Sequence, residues 1–507
     1  MANEESSGGL SRSIGPLRLF VLGTASIVGP WLVMTNWWIS LTGSSIALAF
    51  FVLGLLCIPI GLVFGELTAM FPQAGGSSVY IEKAFSRKVA YWFSWALMLS
   101  YTTVLAFQLR ALMEIIGYMW WPDMSLLTTM VIAVIIAFAI FLLNTRDVSI
   151  GTGVQVGIFA MLAIVGFGYS ILFFVHPQFD VANWQPMFQN GTSGFLTAVA
   201  LMTTMFFGFE VIPQFAEEAN YPAKNHWKLM VGAILFVMAF DGAITLSESG
   251  MLPFDIAINT PMLGAEIANA TYGSWLQFII VFANVAALCG CLVGFWMGGS
   301  RMLLAMGRSG ALPSVFAKVN KNKVPSTANV FILGVVLMFI LLSGSAWLAS
   351  LFTLMAVGVG VTYTGVSLAF IKLRISGKEI PRPWKVPGGI GMGFVALFGG
   401  LVISYFTFAY FTIDVWVLFV LFFALVGVVR LALIIDSRKH PEKYGMHLAS
   451  VESIAMAGVE PGARSRGRWR KKHEHDIKRK DNSGDQQGRG RQGANRPAFP
   501  GILVPWP

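Results

Sequence analysis

Long apolar stretches dominate this chain of 507 residues. A helix needs about 20 apolar residues to cross a hydrocarbon core about 30 Å thick. The chain is 56% hydrophobic and 12% charged, about half the charged fraction of a soluble domain, which excludes an ordinary cytosolic enzyme. The sequence therefore predicts an all-α integral membrane protein with twelve transmembrane helices, near residues 15–41, 44–70, 90–119, 125–143, 150–175, 193–216, 227–251, 274–304, 327–344, 347–374, 391–411 and 413–436.

The distribution of charge predicts the orientation of these spans. Lys and Arg fall in every second loop, and of the 35 basic residues only Arg110 lies in the opposite half. Loops on the opposite side carry acids instead: Asp123, Asp180, Asp255 and Asp414. Cytoplasmic loops of membrane proteins are enriched in Lys and Arg. We therefore expect both termini in the cytoplasm, with the plasma membrane as the default location of this multi-pass protein.

The chain divides by composition into three parts. Residues 1–14 form a polar cytoplasmic N-terminus, residues 15–436 hold the twelve spans, and residues 437–507 form a cytoplasmic basic tail. From Pro461 onward this tail carries 12 Lys and Arg against 4 acids, a net charge of +8 of the chain's +10. So polar a segment cannot fold alone. We expect it to contact anionic lipid headgroups, with a regulatory plug or an RNA contact as alternatives; without an RNA-binding motif, no nucleic-acid partner is expected.

Two predicted spans contain helix-breaking residues. Span 1 is interrupted at Ser26-Ile27-Val28-Gly29-Pro30, and span 6 at Phe207-Gly208-Phe209-Glu210 before Pro213. Proline removes a backbone donor, and glycine tolerates torsions that other residues avoid. In a single span such residues can simply kink a packed helix. At matched positions in two five-span halves they favour a transporter with inverted repeats, because the freed N–H and C=O groups can hold a charged ligand.

Four segments carry a family resemblance. Residues 65–85, 208–222, 300–325 and 382–389 resemble, in order, motifs of the amino acid–polyamine–organocation (APC) superfamily, specifically its amino acid permeases. The resemblance implies a LeuT-like five-plus-five inverted repeat with broken helices 1 and 6, and two further helices. It also implies alternating access without nucleotide, with the amino acid's carboxylate and amino groups bound at the two breaks.

One segment departs from the family pattern. The family usually has a Gly-Ser-Gly-like run in span 1, whose bare N–H groups bind the carboxylate. This chain has Val28-Gly29-Pro30-Trp31, which lacks one donor and adds a bulky ring. The departure favours a smaller or rearranged headgroup, or a non-standard substrate.

Two carboxyl groups inside predicted spans are candidate proton sites. A carboxyl at that depth is costly unless it is protonated or paired, so Glu210 beside the span 6 break is the first candidate for proton coupling. Its alternative is a lasting hydrogen bond to freed N–H groups of span 1. Asp241 in span 7 is a second candidate, although a polar contact within the bundle would explain it equally well.

Other polar and aromatic residues in or near the spans are also expected to have structural or binding roles. Phe207 and Trp296 are expected to line or gate the pocket, with core packing as the alternative. Arg110 and Glu114 have the spacing of a helical ion pair. Glu66, Glu217 and Glu218 are expected to brace loops against Lys or Arg. The predicted substrate site comprises Ser26, Ile27, Val28, Gly29, Pro30, Phe207, Gly208, Phe209, Glu210 and Trp296.

Residues that the sequence lacks narrow the choice of coupling ion. Span 8 has no Ser or Thr between Trp275 and Gly299, which disfavours the hydroxyl-based sodium site of this fold type. Some proton-coupled relatives use a span 5 lysine, and none occurs between Lys88 and Lys224. Proton symport through Glu210 or substrate exchange remains.

The sequence therefore predicts a secondary active transporter of an amino acid or related amine, with no cofactor, no metal and no catalytic constellation. A polyamine or amine carrier, and a transport-inactive membrane receptor of the same fold, are the alternatives.

Overall fold

The chain folds into helices joined by turns. The computed structural model describes residue 10 and residues 12–27, 29–146, 148–342 and 347–440. Within these residues the helices are α1 (Pro16–Ile27), α2 (Trp31–Thr42), α3 (Ile46–Met70), α4 (Ser77–Ala84), α5 (Arg87–Trp120), α6 (Leu126–Leu143), α7 (Val148–Phe174), α8 (Gly191–Leu201), α9 (Val211–Gln214), α10 (His226–Met251), α11 (Phe254–Ala257), α12 (Leu263–Tyr272), α13 (Ser274–Arg308), α14 (Ser326–Leu342), α15 (Trp347–Ser376), α16 (Ile390–Ala409) and α17 (Ile413–Lys439).

These helices form where the sequence predicts membrane spans. In the described part of the chain, nine helical segments are long and apolar enough to cross a membrane, and α1 and α14 are shorter apolar helices. Serine caps begin two of them, since the Ser86 and Ser125 hydroxyls accept hydrogen bonds from Val89 N and Thr128 N. The all-helical membrane character is thus confirmed, whereas the count of twelve crossings and the inverted repeat stay predictions.

Both predicted helix interruptions are present. The first span consists of α1 and α2, which end at Ile27 and begin again at Trp31. In the sixth span α8 ends at Leu201, a 3₁₀ turn covers Met202–Met205, and the next α-helical residue is Val211. The sequence analysis did not predict the short helices α4, α11 and α12, which lie in connections between the long ones.

The interrupted helices lie at the centre of the bundle. Helix α1 packs against α7, α10 and α13, while α3 packs against α10 and α15 against both α5 and α16. Helices α6 and α17 are mostly exposed along their apolar surfaces, as expected for helices at a lipid-facing periphery. The described residues of the two breaks are accordingly buried.

On the side predicted to be cytoplasmic, ion pairs hold the helix ends together. Glu218 accepts bonds from Arg301 at 2.8 and 3.2 Å, and both side chains are almost fully buried. Glu217 pairs with Arg308 at 2.8 Å. Glu66 pairs with Arg374 and Arg382 and accepts the Val386 N–H at 2.7 Å. The expectation that these three glutamates brace loops against basic residues is confirmed.

Backbone contacts close the same side between the first and sixth spans. Ser13 N and Ile14 N donate to the Glu218 carbonyl, at 3.0 and 3.1 Å, and Asn220 N donates to the Ile14 carbonyl at 2.7 Å. Ile14 and Ala219 thereby form an isolated parallel bridge. The segment before α1 is thus fastened to the segment after α9.

Candidate functional site

The two breaks touch each other at Gly208. This residue has φ +145°, and a Cβ on it would lie 2.9 Å from the Gly23 carbonyl oxygen and 3.1 Å from Ile27 N. A side chain would therefore collide with the α1 backbone, and the torsion itself favours glycine. The predicted residues Ile27 and Gly208 are in this way brought together. Val28, also predicted for the site, lies outside the described residues.

Side chains from α13 donate hydrogen bonds to carbonyl groups freed at the first break. The Cys291 thiol donates to the carbonyls of Ala25 and Ser26, at 3.2 and 3.1 Å, and Asn284 Nδ2 donates to the Gly29 carbonyl at 2.7 Å. The Pro30 carbonyl accepts from Val33 N and Met34 N and so begins α2. The break is a defined, hydrogen-bonded conformation.

The Ser26 hydroxyl faces α13 but is already engaged within its own helix. It donates to the Leu22 carbonyl at 2.6 Å, and it lies so close to Gly294 that no Cβ would fit there. Its part in substrate binding would therefore be through its backbone rather than its hydroxyl.

Glu210 lies fully buried at the second break. Its Oε2 accepts a hydrogen bond from Gly208 N at 2.9 Å and another from the Tyr363 hydroxyl at 3.2 Å. Its Oε1 has no hydrogen-bond partner among the described residues. The bonds to Glu210 in the described part of the chain thus come from its own segment and from α15, and not from the N–H groups of span 1 that the sequence analysis considered as an alternative.

Aromatic rings flank Gly208 along the chain on either side. Phe207 stacks on both Tyr101 and Phe295, with ring centroids 5.4 and 4.7 Å away, and those two rings also contact each other at 5.7 Å. Phe209 stacks on Tyr363 at 5.3 Å. The neighbour of Phe207 on α13 is therefore Phe295, and the predicted Trp296 has its ring 6.3 Å from Phe141 of α6 instead.

Several buried polar atoms near the breaks have no hydrogen-bond partner among the described residues. They include Oε1 of Glu210, Oε1 of Gln108 and Oδ1 of Asn284. Gln108 lies against Gly29, where a Cβ would come within 2.7 Å of its Nε2. Buried polar atoms are normally hydrogen-bonded. These unused acceptors surround the breaks and are suited to the donors of a polar ligand.

A further polar pair lies apart from the breaks. Arg110 and Glu114 form the predicted i, i+4 ion pair on α5, at 2.5 Å, which confirms that expectation. They line an open cavity of about 360 Å³ together with Tyr118, Trp121 and Met262.

The geometry can now be compared with known proteins. A family model described as amino acid permease matches residues 14–440, which is most of the chain and includes both breaks. The chain belongs to the amino acid permease family.

Curated relatives of this permease include bacterial and plant transporters. It is 25% identical to a methylthioribose transporter of Bacillus subtilis over 76% of this chain and 86% of the relative. It is 24% identical to a branched-chain amino acid permease of the same species, over 85% of this chain and 94% of the relative. A third relative, an aspartate–proton symporter of Bacillus subtilis, is 24% identical over 75% of this chain and 76% of the relative.

Sequence reasoning missed several polar residues of the permease. Tyr363, Gln108 and Asn284 lie on helices without a break, and nothing in their local sequence marks them. Glu248 was missed although it is an acid within a predicted apolar span, which is itself a signal of function. Among the described residues no cluster of three His, Cys, Asp or Glu side chains is placed to hold a metal ion.

Proposed function

We propose that this permease is a secondary active transporter of an amino acid or a related small amine, working by alternating access as a proton symporter or a substrate exchanger. The observation that carries the proposal is the contact of the two helix breaks at Gly208, with the buried carboxyl of Glu210 two residues away. The proposed substrate site comprises Ser26, Ile27, Val28, Gly29, Pro30, Phe207, Gly208, Phe209, Glu210 and Trp296.

The broken helices offer complementary partial charges to a zwitterion. The N-terminal end of α2 at Trp31 carries partial positive charge, and the C-terminal end of α1 at Ile27 carries partial negative charge. A carboxylate is stabilised at the first and an amino group at the second. A carbonyl oxygen accepts two hydrogen bonds, so those of Ala25 and Ser26 retain capacity beside Cys291.

Proton coupling is assigned to Glu210. A fully buried carboxylate without a cationic partner is unfavourable, so Glu210 takes up a proton or the amino group of the substrate, and the binding of each changes the affinity for the other. Tyr363 and Gly208 N–H orient the carboxyl from one oxygen. The other oxygen is left for the proton or for the substrate amino group. Asp241 is proposed as a further proton-coupling residue and is taken up below.

The wider architecture is also part of the proposal. It comprises a cytoplasmic N-terminus at 1–14, a twelve-helix domain at 15–436 with five-plus-five inverted repeats, and a basic cytoplasmic tail at 437–507 that contacts anionic lipid. The tail beyond His440 lies outside the described residues. We place the protein in the plasma membrane and assign it no enzymatic activity.

A second candidate is a transporter of a small polar solute that lacks the amino acid headgroup. Pro30 has no N–H to donate to a carboxylate, and the bulky Trp31 begins α2 directly after it. A relative named as a methylthioribose transporter is compatible with such a substrate. A polyamine carrier, with Glu210 or Asp241 facing the cation, and a transport-inactive receptor are the remaining alternatives.

The experiment that tests the proposal is uptake into proteoliposomes. A labelled panel of amino acids, polyamines and methylthioribose is offered to empty and to substrate-loaded vesicles, with and without an inward proton gradient. Uptake confined to loaded vesicles indicates an exchanger, and gradient-driven accumulation in empty vesicles indicates a symporter. Uptake of methylthioribose alone favours the second candidate, and no uptake from the whole panel contradicts the proposal.

A further inference from the structure

Two carboxyl groups on α10 lie apart from Glu210. Asp241 and Glu248 are both fully buried. They are seven residues apart and therefore project from the same face of the helix, about 10 Å apart along its axis. Neither contributes to the contact between the two breaks.

The Tyr169 hydroxyl of α7 binds one of the two carboxyls. It donates to Glu248 Oε1 at 2.9 Å. Thr35 of α2 faces Glu248, and Gly264 of α12 covers it so closely that a side chain there would collide with the carboxyl. Cys291 of α13 is a further titratable group within electrostatic range of Asp241.

Among the described residues neither carboxyl of this pair is bonded to a basic side chain. Helices α2, α3, α7 and α12 contain no Lys, Arg or His. On α10 the basic residues are His226 and Lys228 in its first turn, about 20 Å from Asp241 along the axis. On α13, Arg301 is bonded to Glu218 and Arg308 to Glu217. On α1, Arg18 lies in the first turn and is exposed. Two buried carboxylates without a cation are strongly unfavourable, so the pair must take up positive charge from solution.

Hydrogen-bond donors distinguish the two acids. Glu248 Oε1 accepts a hydrogen bond from the Tyr169 hydroxyl. The other oxygen of Glu248 and both oxygens of Asp241 have no hydrogen-bond partner among the described residues. A metal cation requires several oxygen ligands, but among the described residues no group of three His, Cys, Asp or Glu side chains is placed to hold one. The surroundings therefore suit a proton better than a metal ion.

Trp31 connects this pair to the break in the first span. It is the first residue of α2, and its fully buried ring packs edge-on against Phe240, the residue before Asp241, at 5.4 Å. Its indole N–H faces the Tyr169 hydroxyl but does not complete a hydrogen bond. A buried N–H donor without an acceptor is costly. Movement of α2 at the break therefore changes the environment of Tyr169 and of both acids.

We propose that Asp241, Tyr169 and Glu248 form a second proton-binding site, separate from Glu210, whose occupancy changes as Trp31 moves with α2. This inference rests on the proposed transport function. In the loaded state Asp241 is a neutral carboxylic acid. Its proton leaves to water when the site opens, so the empty site carries one more negative charge.

The test measures exchange in substrate-loaded proteoliposomes as a function of external pH, which both a symporter and an exchanger perform. The probe is the labelled amino acid that the wild type takes up from the panel. The variants are D241N, E210Q and the double variant, and D255N is the matched control because Asp255 is an exposed carboxyl just after α10. Size-exclusion chromatography and thermal unfolding establish that each variant is folded.

We expect E210Q to keep a dependence on pH, with the rate falling up to about tenfold per pH unit above the midpoint, as one titrating carboxyl gives. Addition of D241N should reduce the remaining variation to less than about twofold, and D255N should behave as wild type. An E210Q variant that is already independent of pH would overturn the second site, as would an unchanged slope in the double variant. A wild type that shows no exchange contradicts the transport function instead.

Two further measurements keep the inference testable if a variant fails. If E210Q abolishes exchange, D241N alone should give a shallower profile than wild type, and an unchanged profile overturns the inference. If D241N does not fold, Y169F should move the midpoint to higher pH, since loss of a donor favours the protonated carboxyl; an unmoved midpoint overturns it. Exchange that requires sodium, with a sodium dependence that D241N removes, would replace the proton by a metal cation.

Discussion

The Tyr363 hydroxyl donates a hydrogen bond of 3.2 Å to Glu210, joining α15 to the break in the sixth span. The same oxygen of Glu210 accepts the Gly208 N–H at 2.9 Å, and Gly208 is the residue pressed against α1. One carboxyl oxygen therefore ties together the contact between the two breaks and a long helix outside them. The charge on Glu210 is in this way connected to the position of the sixth span.

Replacement of Glu210 by Gln should weaken the dependence of transport on pH. The buried carboxylate is unfavourable unless protonated, so wild-type transport should fall as pH rises and the carboxyl loses its proton. Gln is neutral at every pH and retains an oxygen for the Gly208 N–H. The measurement is initial uptake against external pH, with Asp255→Asn as the control. A folded variant with the wild-type profile would contradict the role of Glu210.

Replacement of Gly208 by Ala should abolish transport and lower stability. The Cβ would lie 2.9 Å from the Gly23 carbonyl oxygen, at a φ of +145°, and strain of this kind costs about 1–3 kcal/mol for the torsion alone. The control is Gly168→Ala, since a Cβ at Gly168 has open space within 4 Å. Thermal unfolding in detergent and uptake are compared for both. Equal behaviour of the two variants would mean that the breaks do not need their close contact.

Loss of one partner of the Glu218–Arg301 pair should destabilise the protein strongly. Both side chains are almost fully buried, and an uncompensated buried charge costs about 3–5 kcal/mol. Arg301→Met should therefore lower the thermal unfolding temperature clearly. The matched control is Arg87→Met, which breaks the Arg87–Glu82 pair with exposures of 31% and 26% and should cost less than about 1 kcal/mol. The double variant Glu218→Gln with Arg301→Met should recover part of the loss, and a still less stable double variant would speak against this account.

Removal of the Asn284 side-chain amide should weaken substrate binding at the first break. Its Nδ2 satisfies the Gly29 carbonyl at 2.7 Å, and an unsatisfied buried acceptor costs about 1–3 kcal/mol, which disturbs the conformation of the break. Asn284→Ala should raise the KM of uptake roughly tenfold, with a smaller effect on the maximal rate. Asn259→Ala is the control, because Asn259 is exposed and bonds within its own turn. An unchanged KM would show that Asn284 does not define the site.

The sequence was sufficient to predict the helices and the two breaks, because both are encoded locally. An apolar run of some 20 residues predicts a helix, and Gly29-Pro30 and Gly208 predict the interruptions. Charge alternation likewise marked Glu217 and Glu218 as partners of basic residues. These features depend on neighbours along the chain, so no knowledge of packing was needed.

The partners across helices could not be predicted in the same way. Tyr363 is 153 residues from Glu210, and Asn284 is 255 residues from Gly29. Both lie in ordinary helical sequence, and their roles arise only from packing. The sequence also could not predict which face of α13 contacts Phe207. Phe295 and Trp296 are adjacent in sequence, but Phe295 contacts Phe207 and Trp296 contacts Phe141.

The bridge between Ile14 and Ala219 limits how the first and sixth spans can move. Together with the contact of Gly23 and Gly208, it joins the two spans at two separate points along their length. Two attachment points define an axis, so the pair can rock as one lever against its neighbours but cannot slide apart without releasing one attachment. Spin labels at exposed Arg12 and Asn220 would therefore keep a constant separation through a rocking cycle and change it only when the bridge opens.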